Sequence, residues 1–180
     1  MLALMAEARS GFRQARPSDA ATIVAIVNGA FSGDGGTSGW TNEHRLFEGE
    51  RTYAAEVLTL LAVPDSKFLL WIHEGKVAGC AYLRRFGNSA YMGMLAVRPV
   101  LQGIGVGKQI IAEVERIASE EMHCALMMIG VITSHRPDLA AFYERRGYAR
   151  TGRTKPLEGS QARREKKAAD VVAEWMEKRL

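Results

Sequence analysis

The spacing of hydrophobic residues predicts helices and a first strand in the N-terminal third of the chain. A short strand begins at Phe12, and a helix follows Pro17 with Ser18 or Asp19 as its N-cap. Its apolar positions recur at helical spacing: Ile23, Ile26, Val27 and Ala30. After a glycine-rich loop at 32–39, a second helical pattern runs from Trp40 to Val63 with Thr41 as its N-cap. Gly49 marks a break within this pattern.

The middle of the chain switches to strand patterns. Apolar, β-rich runs at 68–72, 77–83 and 90–97 are joined by short turns, which predicts an antiparallel meander. A helix follows, with a single apolar stripe made of Ile110, Ile111, Val114, Ile117 and Ala118. The continuous apolar run 124–132 predicts a buried strand parallel to the strand before that helix.

The C-terminal third continues the alternation of helix and strand. A helix begins at Pro137 and stops at Gly147, and a strand covers 148–154. Residues 155–168 are polar and basic, which is typical of a surface loop. From 170 onward the apolar positions fit either one face of a helix or a closing strand.

Length and composition limit the class of protein. With 180 residues and 47% hydrophobic content, the chain suits one compact domain over 12–180, preceded by a disordered N-terminus over 1–11. The opening residues lack the basic stretch and the long apolar span of a targeting or membrane segment, which predicts a cytoplasmic protein without membrane contact. Cys80 and Cys124 lie in apolar runs and are expected to be buried, reduced thiols. The histidines show no metal-ligand spacing, so no metal is expected.

Charge does not indicate a nucleic-acid partner. Lys plus Arg exceed Asp plus Glu by only 24 to 20. Basic runs at 84–85, 145–146 and 161–167 lack interleaved aromatic residues, so solvated faces or contacts to a phosphate are the better interpretation.

The segment 102–108, "QGIGVGK", has the composition of an anion site. Glycines at 103, 105 and 107 leave the backbone amides accessible at a helix start, where they carry partial positive charge. Gln102 can hydrogen-bond a phosphate oxygen, and Lys108 adds a positive charge. A dinucleotide-binding fingerprint is disfavoured because Arg98–Leu101 separates the strand from the glycines and no acid follows the second strand. A P-loop is disfavoured because Gln109 follows Lys108.

The whole segment "MLAVRPVLQGIGVGKQII" resembles the acetyl-CoA signature of the GNAT superfamily of N-acetyltransferases. "AAFYERRGYARTGR" resembles the later motif of that family, and "WMEKRL" resembles its terminal strand. The resemblance implies a mixed α/β (α+β) fold: a central sheet of about seven strands, with an antiparallel meander followed by a splayed parallel pair, flanked by about four helices. It also makes 170–178 a strand.

The resemblance further implies acetyl-CoA as cosubstrate and assigns residues to it. The strand end Leu95, Ala96 and Val97 would hold the pantetheine arm, and the loop would hold the pyrophosphate through Gln102, Gly103, Ile104, Gly105, Val106, Gly107 and Lys108. Where the family often has an asparagine, this chain has Arg136, which could meet a phosphate instead.

Acetyl transfer to an amine requires a polarised carbonyl, a base for the amine and an acid for the departing thiolate. An exposed N–H near Leu95 to Val97 suits the first role, and Tyr143, which matches the family's tyrosine, suits the acid. Phe142 is expected to enter the core while Tyr143 turns to the cleft. Glu43 or His44 could act as base, although an acid at a helix start is also explained by the helix dipole.

The acceptor is the least determined part of the function. Phe31 and Trp40, with Glu43 and His44, are predicted to line the acceptor pocket, where an aromatic face can hold a cationic amine. Packing of Trp40 onto the second helix is the alternative. The expected activity is transfer to a primary amine of a small molecule or peptide by a homodimer. The alternative is a non-catalytic acyl-CoA-binding sensor.

Overall fold

The computed structural model describes residues 10–32, 47–134, 136–156 and 171–180. Seven strands are described: β1 Gly11–Gln14, β2 Ser66–His73, β3 Lys76–Phe86, β4 Ser89–Val97, β5 Leu126–Ile132, β6 Ala149–Lys155 and β7 Ala173–Arg179. Four α-helices accompany them: α1 Ala20–Ser32, α2 Ala54–Leu61, α3 Val106–Arg116 and α4 Pro137–Glu144. A π-helical turn, Ile117–Glu121, continues α3.

The strands form one sheet in the order β1-β2-β3-β4-β5-β7-β6. The pairs are antiparallel except for β4 with β5, which is parallel. The predicted meander, the parallel strand after α3 and the closing strand near the end of the chain are therefore confirmed. β1 begins at Gly11, one residue inside the stretch predicted to be disordered.

Two hydrophobic clusters cover the two faces of the sheet. On the first face, Ile110 and Val114 of α3 and Ala140 of α4 pack against Met92 and Ile129. This face is called the α3 side. The opposite face, called the α1 side, is covered by α1 and α2, whose Ile23, Ile26 and Val57 pack against Phe68 and Leu70. All five positions of the stripe predicted for α3 are buried.

The prediction of a helix from Trp40 is wrong for 47–53, which are described and are not helical. Gly49 has φ 78°, a left-handed conformation that interrupts a helix. Thr52 is hydrogen-bonded to α1: its N–H donates to Asn28 Oδ1, and its carbonyl accepts from Asn28 Nδ2, both at 3.0 Å. These bonds hold Thr52 against α1, so α2 begins only at Ala54. The predicted N-cap Thr41 lies outside the described residues.

Asp19 stabilises the entry to α1, though not as a simple N-cap. Pro17–Asp19 form a 3-10 turn, and the Asp19 carboxylate accepts the Arg16 N–H at 2.8 Å. The same carboxylate pairs with Arg13 of β1 at 2.8 Å. The Arg13 hydrogen bond is the main reason that the pKa of Asp19 falls to about 2.

None of the helices among the described residues has the length and apolar character needed to cross a membrane.

Candidate active site

The parallel pair β4–β5 opens into a cleft. The two strands pair only from Ser89 with Leu126 to Met92 with Ile129. Beyond this point β4 turns away: Met94 has φ 47°, and the β3–β4 register shifts opposite it, between Cys80 and Tyr82. The space that opens is a cleft of about 890 Å³ that reaches both faces of the sheet.

The diverging end of β4 presents backbone groups to this cleft. The Arg98 N–H donates to Ala78 O of β3 at 2.9 Å. Successive amides of an extended strand point in opposite directions, so the N–H groups of Val97 and Leu95 point away from β3, toward the side from which β5 has diverged. All three predicted strand residues, Leu95, Ala96 and Val97, line the cleft.

The glycine loop forms the wall next to this strand end. Gly103 and Gly105 have φ of 82° and 92°, and Gly105 is the N-cap of α3. A Cβ placed on Gly103, Gly105 or Gly107 would meet no atom within 4 Å, so the loop backbone borders open space. The first turn of α3 has no side-chain cap and no acid, while Lys108 lies within it. These features suit an anion, which the helix dipole and accessible amides would stabilise.

Most of the residues predicted to hold the cosubstrate line the cleft, and three of them differ from expectation. Ile104 is 66% exposed and is not among the lining residues. Arg136 does not line the cleft either: it is buried at the start of α4 and pairs with Asp138 at 2.8 Å. Gln102 lines the cleft, but its Nε2 donates to Val97 O at 2.9 Å, which joins the loop to the strand end.

The prediction that Phe142, and not Tyr143, enters the core is wrong. Tyr143 is the more buried of the two and belongs to the core cluster, while Phe142 is half-buried. Both line the cleft. The ring of Phe142 is covered by Arg146, whose guanidinium carbon lies 3.3 Å from the ring centroid, which keeps Phe142 near the surface. Burial raises the pKa of Tyr143, so its hydroxyl stays protonated at neutral pH.

A hydrogen-bonded cluster that the sequence did not indicate lies beside Tyr143. Tyr148 Oη donates to Glu115 Oε1 at 2.9 Å, and Lys178 Nζ lies 2.7 Å from Glu115 Oε2. The rings of Tyr143 and Tyr148 meet edge to face with centroids 5.6 Å apart. Glu115 lies in α3, Tyr148 directly precedes β6, and Lys178 lies in β7, so only the folded chain brings the three together. Their hydrogen bonds hold the Tyr148 ring, against which Tyr143 packs.

On the α1 side the cleft has different walls. Phe31 lines it as predicted, and the Arg51 guanidinium lies 5.4 Å over the Phe31 ring. Lys155, also a lining residue, has its ammonium 5.3 Å from the Trp175 ring and 5.8 Å from the Tyr91 ring. Sequence reasoning identified neither cation. The other predicted acceptor residues, Trp40, Glu43 and His44, lie outside the described residues, as do the basic segment 161–167 and most of 1–11.

The surroundings of three other reactive side chains indicate structural roles: Cys80, Cys124 and His73. Cys80 and Cys124 are buried and free, and burial raises the pKa of Cys80 to about 12. His73 stacks on Trp71 with ring centroids 5.2 Å apart, and its Nδ1 lies 3.1 Å from Ser10 Oγ. The prediction of buried thiols is therefore confirmed.

Comparison with known proteins gives a family. The sequence model of the Acetyltransferase (GNAT) family matches residues 37–148. No curated protein sequence matches the chain.

Solved structures give the same architecture at low sequence identity. The PaiA N-acetyltransferase of Thermoplasma acidophilum, solved in complex with coenzyme A, is 17% identical, with a TM-score of 0.65 over 96% of this chain and 99% of that one. The ribosomal-protein-S18-alanine N-acetyltransferase of Escherichia coli is 15% identical, with a TM-score of 0.67 over 95% and 94%. A GNAT-family acetyltransferase of Streptococcus pneumoniae is 16% identical, with a TM-score of 0.67 over 96% and 100%. The family match covers more than half of the chain, so this protein belongs to the GNAT family of acetyltransferases.

Proposed function

We propose that this protein transfers the acetyl group of acetyl-CoA directly to a primary amine of a small molecule or peptide. One observation carries the proposal: the unpaired end of β4 leads into the uncapped, basic start of α3, and Tyr143 lines the same cleft. A strand edge for an extended arm, amides for a diphosphate and a phenol for a leaving group therefore share one space.

The residues present fit the cosubstrate. Gln102, Gly103, Gly105, Val106, Gly107 and Lys108 would surround the diphosphate, because the open loop backbone and the cationic first turn suit an anion. Leu95 and Val97 would hold the extended arm through backbone hydrogen bonds. Ile104 and Arg136 have weaker support, since neither lines the cleft.

Acetyl-CoA supplies an activated thioester when bound. The amide at Leu95 or Val97 would donate a hydrogen bond to the carbonyl oxygen and stabilise the negative charge that develops there. Tyr143 would donate its proton to the departing sulfur; burial raises the pKa of the phenol, so the proton is present at neutral pH. The network of Glu115, Tyr148 and Lys178 would keep the adjoining ring in place.

The acceptor amine must lose a proton before or during attack. Glu43 remains our candidate for the base, with His44 beside it, on the argument from sequence position alone. Replacement of Glu43 by Gln with no change in the pH dependence of kcat/KM would remove it from this role.

Thiol release is the direct test of the activity. Purified protein is mixed with acetyl-CoA and a panel of amines, and free thiol is followed with time. Thiol that forms only when an amine is present, together with the acetylated amine by mass spectrometry, would support transfer. Coenzyme binding in calorimetry without thiol release from any amine would instead indicate an acyl-CoA-binding sensor.

A further inference from the structure

The side chain of Lys155 lies across the sheet in space left by small residues. Lys155 pairs with Ala173 of β7, and Ala173 pairs with Ile132 of β5. Two residues before Ile132 is Gly130, where an added Cβ would lie only 2.0 Å from Lys155 Cδ. The lysine stem therefore occupies the volume that any other residue at 130 would fill.

The Lys155 side chain places a positive charge near the point where β4 and β5 separate. Ile129 and Val131 belong to the cluster on the α3 side, so Gly130 between them faces the α1 side. The Lys155 ammonium reaches Tyr91 of β4, one residue before β4–β5 pairing ends, and Trp175 of β7. Lys155 as a whole is 6% exposed, and its Nζ donates to Pro156 O at 3.1 Å. The folded sheet thus positions a buried ammonium group against an aromatic wall.

Cationic residues outnumber acidic ones among the described residues that line the cleft. Its described acidic lining residues are Glu115 and Asp138, from α3 and α4, and each is already paired with a cation. On the α1 side, the described charged lining residues are Lys155 and Arg51, which is 9% exposed. With Lys108, Arg145, Arg146 and Lys178 on the α3 side, the described lining carries an excess of positive charge, which disfavours a polycationic acceptor.

We propose that the acceptor is an amine that also carries an oxyanion, a carboxylate or a phosphate, and that Lys155 binds this anionic group on the α1 side of the cleft. This inference rests on the proposed function, since it assigns the α1 side to the acceptor. A charge-assisted hydrogen bond from the ammonium orients the acceptor, and the ring of Tyr91, which lines the cleft, packs against its apolar part.

Paired acceptors provide the test. Rates of thiol release are compared for α-amino acids and their carboxamides, for phosphoethanolamine and ethanolamine, and for spermidine. We expect kcat/KM for the anionic member of at least one pair to exceed that of its neutral partner tenfold or more. The pair with the larger ratio separates carboxylate from phosphate. Faster turnover of the neutral partners in both kinds of pair, or of spermidine, would overturn the inference.

Variants of Lys155 separate charge from packing. Lys155→Met is expected to lower kcat/KM at least tenfold for the anionic acceptor and less than twofold for its neutral partner. Lys155→Gln should behave as Lys155→Met does, because it is polar but uncharged. Lys76→Met, at an exposed lysine at the start of β3, is the matched control. Coenzyme affinity and thermal melting of each variant show whether it is folded. Equal losses for both members of a pair would overturn the role of Lys155.

Calorimetry keeps this inference distinct from the activity itself. Acceptors are titrated into protein saturated with coenzyme A, a measurement that needs no turnover. If the anionic member of a pair binds while no thiol is released from any amine, the anion site stands and the proposed transfer fails. If thiol is released with neutral amines and no anionic acceptor binds more tightly than its partner, transfer stands and the anion site fails. Absence of heat for every acceptor would overturn the anion site.

Discussion

The two sides of the cleft are built in different ways. On the α3 side, one continuous segment from Gly93 to Lys108 supplies the strand end, the loop and the helix start, and most of its contribution is backbone. On the α1 side, side chains from four separate parts of the chain line the cleft: Phe31, Arg51, Tyr91 and Lys155. A site made of backbone groups depends on one short stretch of sequence. A site made of side chains depends on positions that are far apart in sequence and meet only in the folded chain.

The largest expected effect concerns the residue between the two sides. Tyr143→Phe should lower kcat about a hundredfold, within the range for loss of a general acid, while coenzyme affinity stays within about twofold. Tyr148→Phe is the matched control, since it removes a phenol from the same aromatic pair and breaks the bond to Glu115. Steady-state kinetics and calorimetry check both variants. An unchanged kcat for Tyr143→Phe, or an equal loss for Tyr148→Phe, would contradict a specific role for Tyr143.

The α3 side can be disrupted through its backbone alone. Gly105→Val should weaken coenzyme binding about 10- to 100-fold, because a β-branched residue at φ 92° costs on the order of 1–3 kcal/mol and moves the loop amides. Gly75→Val introduces similar strain at φ 73° in the β2–β3 turn. This control should lose stability but keep its coenzyme affinity in calorimetry. Retained affinity in Gly105→Val would argue against the loop as the anion site.

The α1 side can be disrupted without touching the coenzyme loop. Gly130→Ala places a methyl group where the Lys155 stem lies, and the flexible lysine end must move aside. We expect the preference for an anionic acceptor over its neutral partner to fall about fivefold, with coenzyme affinity unchanged. Gly29→Ala, where an added Cβ meets nothing within 4 Å, is the control. A preference unchanged in Gly130→Ala would show that the position of Lys155 does not matter.

The smallest expected effect lies at the entry to α1, the helix that carries Phe31. The pKa of Asp19 is lowered to about 2, chiefly by its hydrogen bond to Arg13, so the pair stabilises the fold above pH 4 and its contribution is lost as pH falls toward 2. Because Arg13 is 42% exposed, we expect a coupling of only about 1 kcal/mol. A double-mutant cycle of Arg13→Met and Asp19→Asn by urea unfolding at pH 7 and pH 2.5 measures it. A coupling as large at pH 2.5 as at pH 7 would contradict this assignment.

The sequence predicted the α3 side well and the α1 side poorly, and the reason is physical. The meander, the glycine loop and α3 follow from local periodicity and turn chemistry, and these short-range rules were sufficient to find them. Lys155 sits in a polar run that is typical of a surface loop, and nothing local indicates that it folds over Gly130. The start of α2 was misplaced for the same reason, since Asn28 binds Thr52 across 24 residues of sequence.

The position of β7 in the sheet has a consequence for biosynthesis. β7 comes last in chain order among the described strands, yet it lies between β5 and β6, with which it pairs on either side. Until the ribosome has released residues 173–179, β5 has no neighbour on that edge, and β6 has no partner at all among the described strands. The space that holds the Lys155 side chain therefore forms only after residues 173–179 have left the ribosome, which makes nascent chains arrested before Ala173 a target for chaperones and proteases.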